Sequence, residues 1–96
     1  MLHTINSREI AEMASMDHKT LLRDIRGYME LLHKDKGQSY SPKDFFIEST
    51  DPHVRETFYN ITLAGCHFIA SRMKFTSKRA ILFSAKYSKK FARIGA

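Results

Sequence analysis

Five histidines and one cysteine are the residues of this 96-residue chain that could bind a metal ion. The histidines are His3, His18, His33, His53 and His67. No two of them lie three or four positions apart, so no helix face would present a pair. Cys66 and His67 are adjacent and would point in different directions on a helix. The spacing therefore predicts no zinc site.

Motifs for catalysis are also missing from the sequence. It contains neither a phosphate-binding loop nor the elbow that carries a nucleophilic serine. Glu9 and Glu12 form an acid pair, but they fall on the surface of a predicted helix, where solvated carboxylates are usual. We therefore expect no enzyme activity and no cofactor. The lone cysteine excludes an internal disulfide framework and fits a reducing compartment.

The distribution of charge favours a polyanion as partner. Residues 1–56 hold all ten acids and eight Lys/Arg, a balance of −2, whereas residues 57–96 hold eight Lys/Arg and no acid, a balance of +8. Cations that neutralise phosphates release condensed counterions, which favours binding to nucleic acid. The alternative is a solvated basic face that keeps the protein soluble.

Two helices close together in sequence predict a helix-turn-helix. The first runs from about Arg8 to Ala14 with Ser7 as its N-cap, and the second runs from Asp17, its expected cap, to about His33. The second carries the most regular apolar pattern, which comprises Leu21, Leu22, Ile25, Tyr28, Met29 and Leu32. Ala11 suits a close helix crossing. Ser15 stands near the place where this motif often has a glycine.

The second helix also carries the residues predicted to read DNA. His18, Lys19 and Thr20 begin it, where a recognition helix meets base edges. Arg23 and Arg26 follow Lys19 at helical spacing, so these three cations share one face. The alternative is an ordinary amphipathic helix with a basic wet face.

Two strands with a polar connection predict a wing. The segments Asp44–Thr50 and Thr57–Thr62 are rich in aromatic and β-branched residues. His53 and Arg55 fall at the tip between them, where a wing touches phosphate or the minor groove. The neighbouring acids Asp51 and Glu56 count against that contact.

Two further helices complete the predicted domain, one capped by Thr62 and one by Ser77 or Thr76. The last has a core stripe of Ala80, Phe83, Tyr87, Phe91 and Ile94. Its basic flank is either a phosphate track or a solvated surface and comprises Arg79, Lys86, Lys89, Lys90 and Arg93. Ile81 and Leu82 lie outside this stripe. They form either a dimer contact or a surface that a tail covers.

The sequence thus predicts an α+β, winged helix-turn-helix fold, formed by residues 1–96 as a single domain. The helix-turn-helix spans about 7–33, the hairpin about 44–62 and the C-terminal helices about 62–94, with a short opening strand over Leu2–Ile5. No apolar run approaches the roughly 20 residues of a membrane span. The N-terminus does not have the pattern of a signal peptide. We expect a soluble, cytoplasmic protein.

A family resemblance supports this interpretation. The segments SREIAEM and HKTLLRDI resemble the N-terminal signature of the phage regulatory protein Rha family. The segments FFIEST, YNITLAGCHFIA and ILFSAKYSKKF follow in the same order, so the similarity covers roughly residues 5–94. DPHVRET departs from the family pattern because it lacks a glycine turn. RMKFTSKRA is more basic than usual and also lacks a glycine.

The resemblance implies a phage or prophage gene regulator, often an antirepressor, that binds DNA through its first two helices. The positions that match the family are Arg8, His18, Leu22, Arg23 and Asp24. Leu22 and the Arg23–Asp24 pair are implied to act partly through packing and local salt bridges. Many members of the family carry a further C-terminal domain.

Two functions follow as hypotheses. The first is a regulator that reads double-stranded DNA with its second helix and holds phosphates with its basic flanks, and one option is that it acts as a homodimer. The second is a small inhibitor that binds a repressor or a host defence protein. The sequence alone leaves both open, because winged domains also bind proteins.

Overall fold

Four helices surround a small antiparallel sheet in the computed structural model, which describes residues 3–35, 40–74 and 77–95. The order is β1 (Ile5–Asn6), α1 (Ser7–Met13), α2 (His18–Lys34), a 3-10 turn (Pro42–Asp44), β2 (Phe46–Thr50), β3 (Thr57–Ile61), α3 (Leu63–Ser71) and α4 (Lys78–Arg93). The predicted α+β fold is confirmed. The arrangement of two helices, a hairpin and two further helices agrees with a winged helix-turn-helix.

The sheet consists of the β2–β3 hairpin and the short strand β1, which pairs with β3 on the edge away from β2. β2 and β3 pair from Phe46 opposite Ile61 to Thr50 opposite Thr57, and β1 adds Ile5 opposite Ile61. Among the described residues the opening strand begins at Ile5, after His3 and Thr4, because the next residue of β3 along the chain, Thr62, already caps α3. Leu2 itself lies outside the described residues.

Two predicted boundaries were wrong. Asn6, not Ser7, caps α1, since its side-chain oxygen accepts a hydrogen bond from the Arg8 N–H at 2.8 Å. Ser7 is instead the first residue of α1 and is fully buried. The hairpin strand begins at Phe46 rather than Asp44, because a capping box between Ser41 and Asp44 fixes the preceding residues in a 3-10 turn.

The core lies where α1 crosses α2 and where α4 packs against α1 and α3. Ile10, Ala11, Leu21 and Ile25 are buried between the first two helices, and Met16 is half-buried beside them. On α4 the apolar stripe is buried at Ala80, Phe83, Tyr87 and Phe91, with Ile94 packed at its end. The predicted apolar stripes of α2 and α4 are confirmed as their packing faces.

The predicted caps of the C-terminal helices are confirmed. The Thr62 hydroxyl accepts a hydrogen bond from the Gly65 N–H at 3.0 Å, and the Ser77 hydroxyl accepts one from the Ala80 N–H at 3.1 Å. Thr76, the other candidate for the second cap, lies outside the described residues.

Ser15 ends α1 in the conformation that usually selects glycine. Its φ is 53°, the Met16 N–H donates to the Ala11 carbonyl at 2.9 Å, and its own N–H donates to the Glu12 carbonyl. These two bonds form a Schellman motif, in which the left-handed residue is most often glycine. The turn of the helix-turn-helix therefore has a serine at a position whose left-handed backbone conformation is strained for any residue with a side chain.

Replacing Ser15 with glycine should stabilise the fold by about 1 kcal/mol, because glycine adopts a positive φ without a steric penalty. Urea unfolding would measure the gain. Glu12→Gly is the control: Glu12 lies exposed inside α1, where glycine should cost about 1 kcal/mol. A Ser15→Gly protein no more stable than the wild type would contradict the prediction.

Candidate nucleic-acid interface

The N-terminal half of α2 presents three cations on one solvent-facing side. Lys19, Arg23 and Arg26 are all exposed, and the Arg23 side chain retains 75% of its accessible surface. Leu21 and Ile25, on the other side of the helix, are buried in the core. The helix is therefore held by its apolar side while its basic side stays free to meet a partner.

Arg23 has only weak pairing within the chain. Its guanidinium lies 3.7 Å from the carboxylate of Asp24, a contact between neighbours at the surface. Such exposed pairs contribute little free energy. The pair agrees with the salt bridge that the family resemblance implied. It leaves the guanidinium able to turn towards a phosphate or a base.

A cleft joins α2 to the base of the wing. His18, Lys19, Leu22 and Arg26 form one side of the cleft, and Glu56 and Thr57 form the other. Thr20 is half-buried beside this group. The fold therefore brings the predicted base-reading residues next to the hairpin.

The wing tip holds His53 and Arg55 exposed in the connection between β2 and β3. Arg55 has a φ of 57°, and its N–H donates to the Asp51 carbonyl at 2.7 Å. This left-handed residue supplies the tight turn for which a glycine was expected. Because this residue is an arginine and not a glycine, the turn also carries a guanidinium at the tip.

His18 links three elements through one buried hydroxyl. Its Nε2 lies 2.8 Å from Ser7 Oγ, and the Tyr59 N–H donates to the same oxygen at 3.0 Å. The Ser7 hydroxyl can donate its hydrogen to Nε2 of a neutral imidazole while it accepts from the Tyr59 N–H, so one hydroxyl serves both partners. The start of α2 is thereby tied to α1 and to β3. His18 acts first as a positioning residue, with one ring nitrogen occupied.

Burial lowers the pKa of His18, and the nearby positive charge of Arg8 lowers it further. The folded state therefore binds the proton less readily than the unfolded state does. Stability from this group is complete above the unfolded pKa of about 6.5 and is lost as pH falls below it.

The free energy of unfolding should therefore decrease as pH is lowered from 7 to 5, in part because of His18. A His18→Gln variant should show a shallower decrease, as followed by urea unfolding at several pH values. His33→Gln, which removes an exposed histidine near the end of the same helix, is the control for the loss of a histidine as such. Equal slopes for wild type and His18→Gln would refute this role.

Arg8 also lies at the cleft, a position that residue spacing in the sequence could not predict. Its guanidinium lies 3.4 Å from Glu56 and 5.2 Å from the centre of the Phe58 ring. It thus offsets the acid nearest the cleft. Glu56 is 48 positions away in sequence, so the only available signal was that Arg8 matches the family pattern.

The predicted cations of α4 occupy two places. Arg79 lies at the turn between α1 and α2, where its Nε donates to the Ala14 carbonyl at 2.6 Å and its side chain shares a small pocket with Asp24 and Tyr28 of α2. Lys86 is exposed beside α1 with Lys89 and Arg93, and the Lys90 ammonium lies 3.2 Å from the Glu9 carboxylate.

The structure brings together only part of the predicted site. The cleft collects His18, Lys19 and Arg26, and Arg23 shares the exposed side of α2 with Lys19. Thr20 is half-buried on α2 and Arg55 lies at the wing tip, whereas Arg79 stands at the turn before α2 and Lys86 and Lys90 lie beside α1.

Other kinds of site are absent from the part of the chain that the structure describes. No group of three histidine, cysteine or acidic side chains is placed to hold a metal ion there. In the same ranges, 3–35, 40–74 and 77–95, no helix is long and apolar enough to cross a membrane.

Comparison with known proteins decides the family. The model of the phage regulatory protein Rha family matches residues 5–95. The chain belongs to this family. It is 39% identical over 90 residues to a Bacillus subtilis (strain 168) protein named SPbeta prophage-derived putative antirepressor protein YoqD. The match covers 91% of the chain and 34% of that relative, so the chain spans about a third of the relative's length. No solved structure matches the chain significantly. The family resemblance of the sequence is confirmed.

Proposed function

We propose that this member of the phage regulatory family binds duplex DNA in the cytoplasm of the bacterial host, with α2 as its recognition helix. One observation carries the proposal: Lys19, Arg23 and Arg26 are exposed together beside the wing, on a helix whose opposite side is buried. A basic, rigid helix of this kind fits the major groove.

The position of each α2 residue along the helix determines whether it would contact a base edge or a phosphate. Lys19 and Arg23 lie in the first two turns, where side chains of a recognition helix meet base edges. Thr20 and the free side of His18 are placed for a phosphate or a base beside them. Arg26 lies a turn further along, against the cleft, and suits a phosphate.

The first turn of α2 adds backbone donors. Asp17 occupies the N-cap position as predicted, yet among the described residues its carboxylate accepts no hydrogen bond from that turn. The free N–H groups of a helix start bind phosphate well. Together with Arg55 on the wing they would hold the backbone while Lys19 and Arg23 read the groove.

The flank of α4 has a secondary part in this proposal. Lys86 is free to contact phosphate, whereas Arg79 and Lys90 already make contacts within the chain. Lys86 and Lys90 lie beside α1 and would reach DNA that extends past the α2 site, whereas Arg79 stands next to that site. They would add affinity without sequence information.

A titration of the pure chain with duplex DNA from upstream of its own gene tests the proposal, with unrelated duplex as competitor. We expect saturable binding that resists competitor and weakens as salt rises, by about 0.9 log units per log unit of salt for each phosphate contact. No binding even at low salt would overturn DNA recognition by this chain.

A second candidate function is antirepression through a protein contact. The Bacillus relative is named as an antirepressor protein, which favours this function, and so does the exposed apolar side chain of Ile81 on α4. A repressor or a host defence protein would then be the partner. Binding to a purified repressor that persists at high salt, without DNA binding, would support this function instead. In neither case do we expect a catalytic role or a cofactor.

A further inference from the structure

An apolar groove runs between α3 and α4, away from the basic side of α2. It encloses about 630 Å³ and is lined by His67, Ala70, Ser71, Ala80, Ile81, Ser84 and Tyr87. The floor is fixed, because the Tyr87 hydroxyl lies 2.6 Å from His67 Nδ1. Ile81 projects from the groove's edge with 60% of its surface exposed.

Charge is segregated around α4 in a way that sets this groove apart. From Ile81 towards the end of the helix, its side carries only small uncharged residues, namely Ser84, Ala85, Ser88 and Ala92, and Lys78 lies one turn before Ile81 at the start of the helix. The side that continues from Leu82 carries Lys86, Lys89 and Arg93 at the spacing of helical turns. Among the described residues, the groove is lined by no lysine, arginine or acid.

We propose that this groove binds a second copy of the chain, with the α4 helices of the two copies facing each other about a two-fold axis. The same surface offers a projecting side chain, Ile81, and a hollow lined by the small residues Ala70, Ala80 and Ser84. A two-fold contact requires such self-complementarity, because each copy supplies both the knob and the hole.

The charges favour a second copy over an acidic partner. Two copies of a chain of net charge +6 repel each other least where faces without charge meet, and this groove is such a face. The cations of α4 point along the flanks, where two copies would keep them apart in solvent. An acidic partner would be selected by cations in the groove wall, which holds none among the described residues.

The dimer goes beyond the DNA proposal and does not depend on it. The groove and the basic side of α2 lie on different elements, so two copies joined at α4 would leave both α2 surfaces free. Two such surfaces would contact twice the DNA of one small module.

Sedimentation equilibrium of the chain without DNA tests the inference. We expect a reversible monomer–dimer equilibrium at micromolar concentrations that strengthens between low salt and about 0.5 M salt, because screening reduces the repulsion between two cationic chains. DNA binding changes in the opposite direction with salt, so the failure of either proposal can be distinguished from the failure of the other.

Ile81→Lys and Leu82→Lys form a matched pair of variants. Both residues are exposed neighbours on α4, and only Ile81 lines the groove. Ile81→Lys should weaken the dimer at least about tenfold, as expected for a buried interface residue, and Leu82→Lys should change it less than about twofold. A chain that stays monomeric at both salt concentrations would overturn the inference. So would equal effects of the two variants, or a dimer that weakens as salt rises.

Discussion

Alanine at both Lys19 and Arg23 is expected to weaken binding to duplex DNA about 100-fold. Each of these side chains is exposed on the basic side of α2, and each good contact of this kind contributes about 1–3 kcal/mol. The slope of log affinity against log salt should also become shallower by about 1 for each of the two that contacts a phosphate. Fluorescence anisotropy across a salt series measures both quantities.

Lys34→Ala is the matched control for this effect. Lys34 lies at the far end of the same helix, is exposed, and already pairs with Glu30 at 3.1 Å. It removes one positive charge and the double variant removes two, so a nonspecific effect of net charge would be the same per charge removed in both proteins. If Lys34→Ala weakened binding as much per charge as the double variant, the N-terminal half of α2 would not be the contact.

Gly65→Ala is expected to lower the free energy of unfolding by about 3 kcal/mol, near the upper end for overpacking. A Cβ atom at this position of α3 would lie 2.3 Å from the Phe45 carbonyl oxygen and 2.8 Å from Ile61 Cγ2. The backbone oxygen cannot move aside easily, because it also accepts a hydrogen bond from the Thr62 N–H at 3.1 Å. The helix would have to withdraw from the hairpin.

The same substitution at Gly27 should have the opposite sign. Gly27 lies within α2, is exposed, and has no atom within 4 Å of the Cβ that alanine would add. Alanine there should stabilise the helix by up to about 1 kcal/mol. Thermal or urea unfolding of both variants compares them directly. A Gly65→Ala protein as stable as the wild type would show that α3 does not require this close approach.

The helices and their buried faces could be predicted because the signals are local. The apolar stripes of α2 and α4 repeat within a few residues, and the caps at Thr62 and Ser77 act within a single turn. The hairpin was also recognisable from its two short aromatic and β-branched segments. Exposure of Lys19, Arg23 and Arg26 followed from the same periodicity.

Contacts between distant residues could not be predicted in this way. Ser7 had the correct residue type for a cap, but its hydroxyl bonds to Tyr59, 52 positions away, and Asn6 caps the helix instead. Arg79 was assigned to a flank that was either a phosphate track or a solvated surface, and the structure shows that it donates to a carbonyl 65 positions away. Such partners depend on tertiary packing, which no local pattern encodes.

The sequence shows that two turns lack the glycine that is usual there, but it does not show which residues take the positive φ instead. Ser15 and Arg55 take positive φ values at the two places where a glycine was expected. The backbone geometry of the turns is thus retained without the residue that usually signals it. Only the hydrogen bonds around each turn show why the chain tolerates the strain.

The central claim is that the first half of α2 meets the DNA, and an amide NMR titration of the chain with its upstream duplex tests it most directly. We predict that the largest shift changes fall on residues 18–26 and on the wing at 51–56, with smaller changes at Lys86, Lys89 and Lys90 and none at Ala70, Ala80 and Ile81 in the groove between α3 and α4. Changes that leave residues 18–26 unaffected and concentrate on α4 would contradict the account.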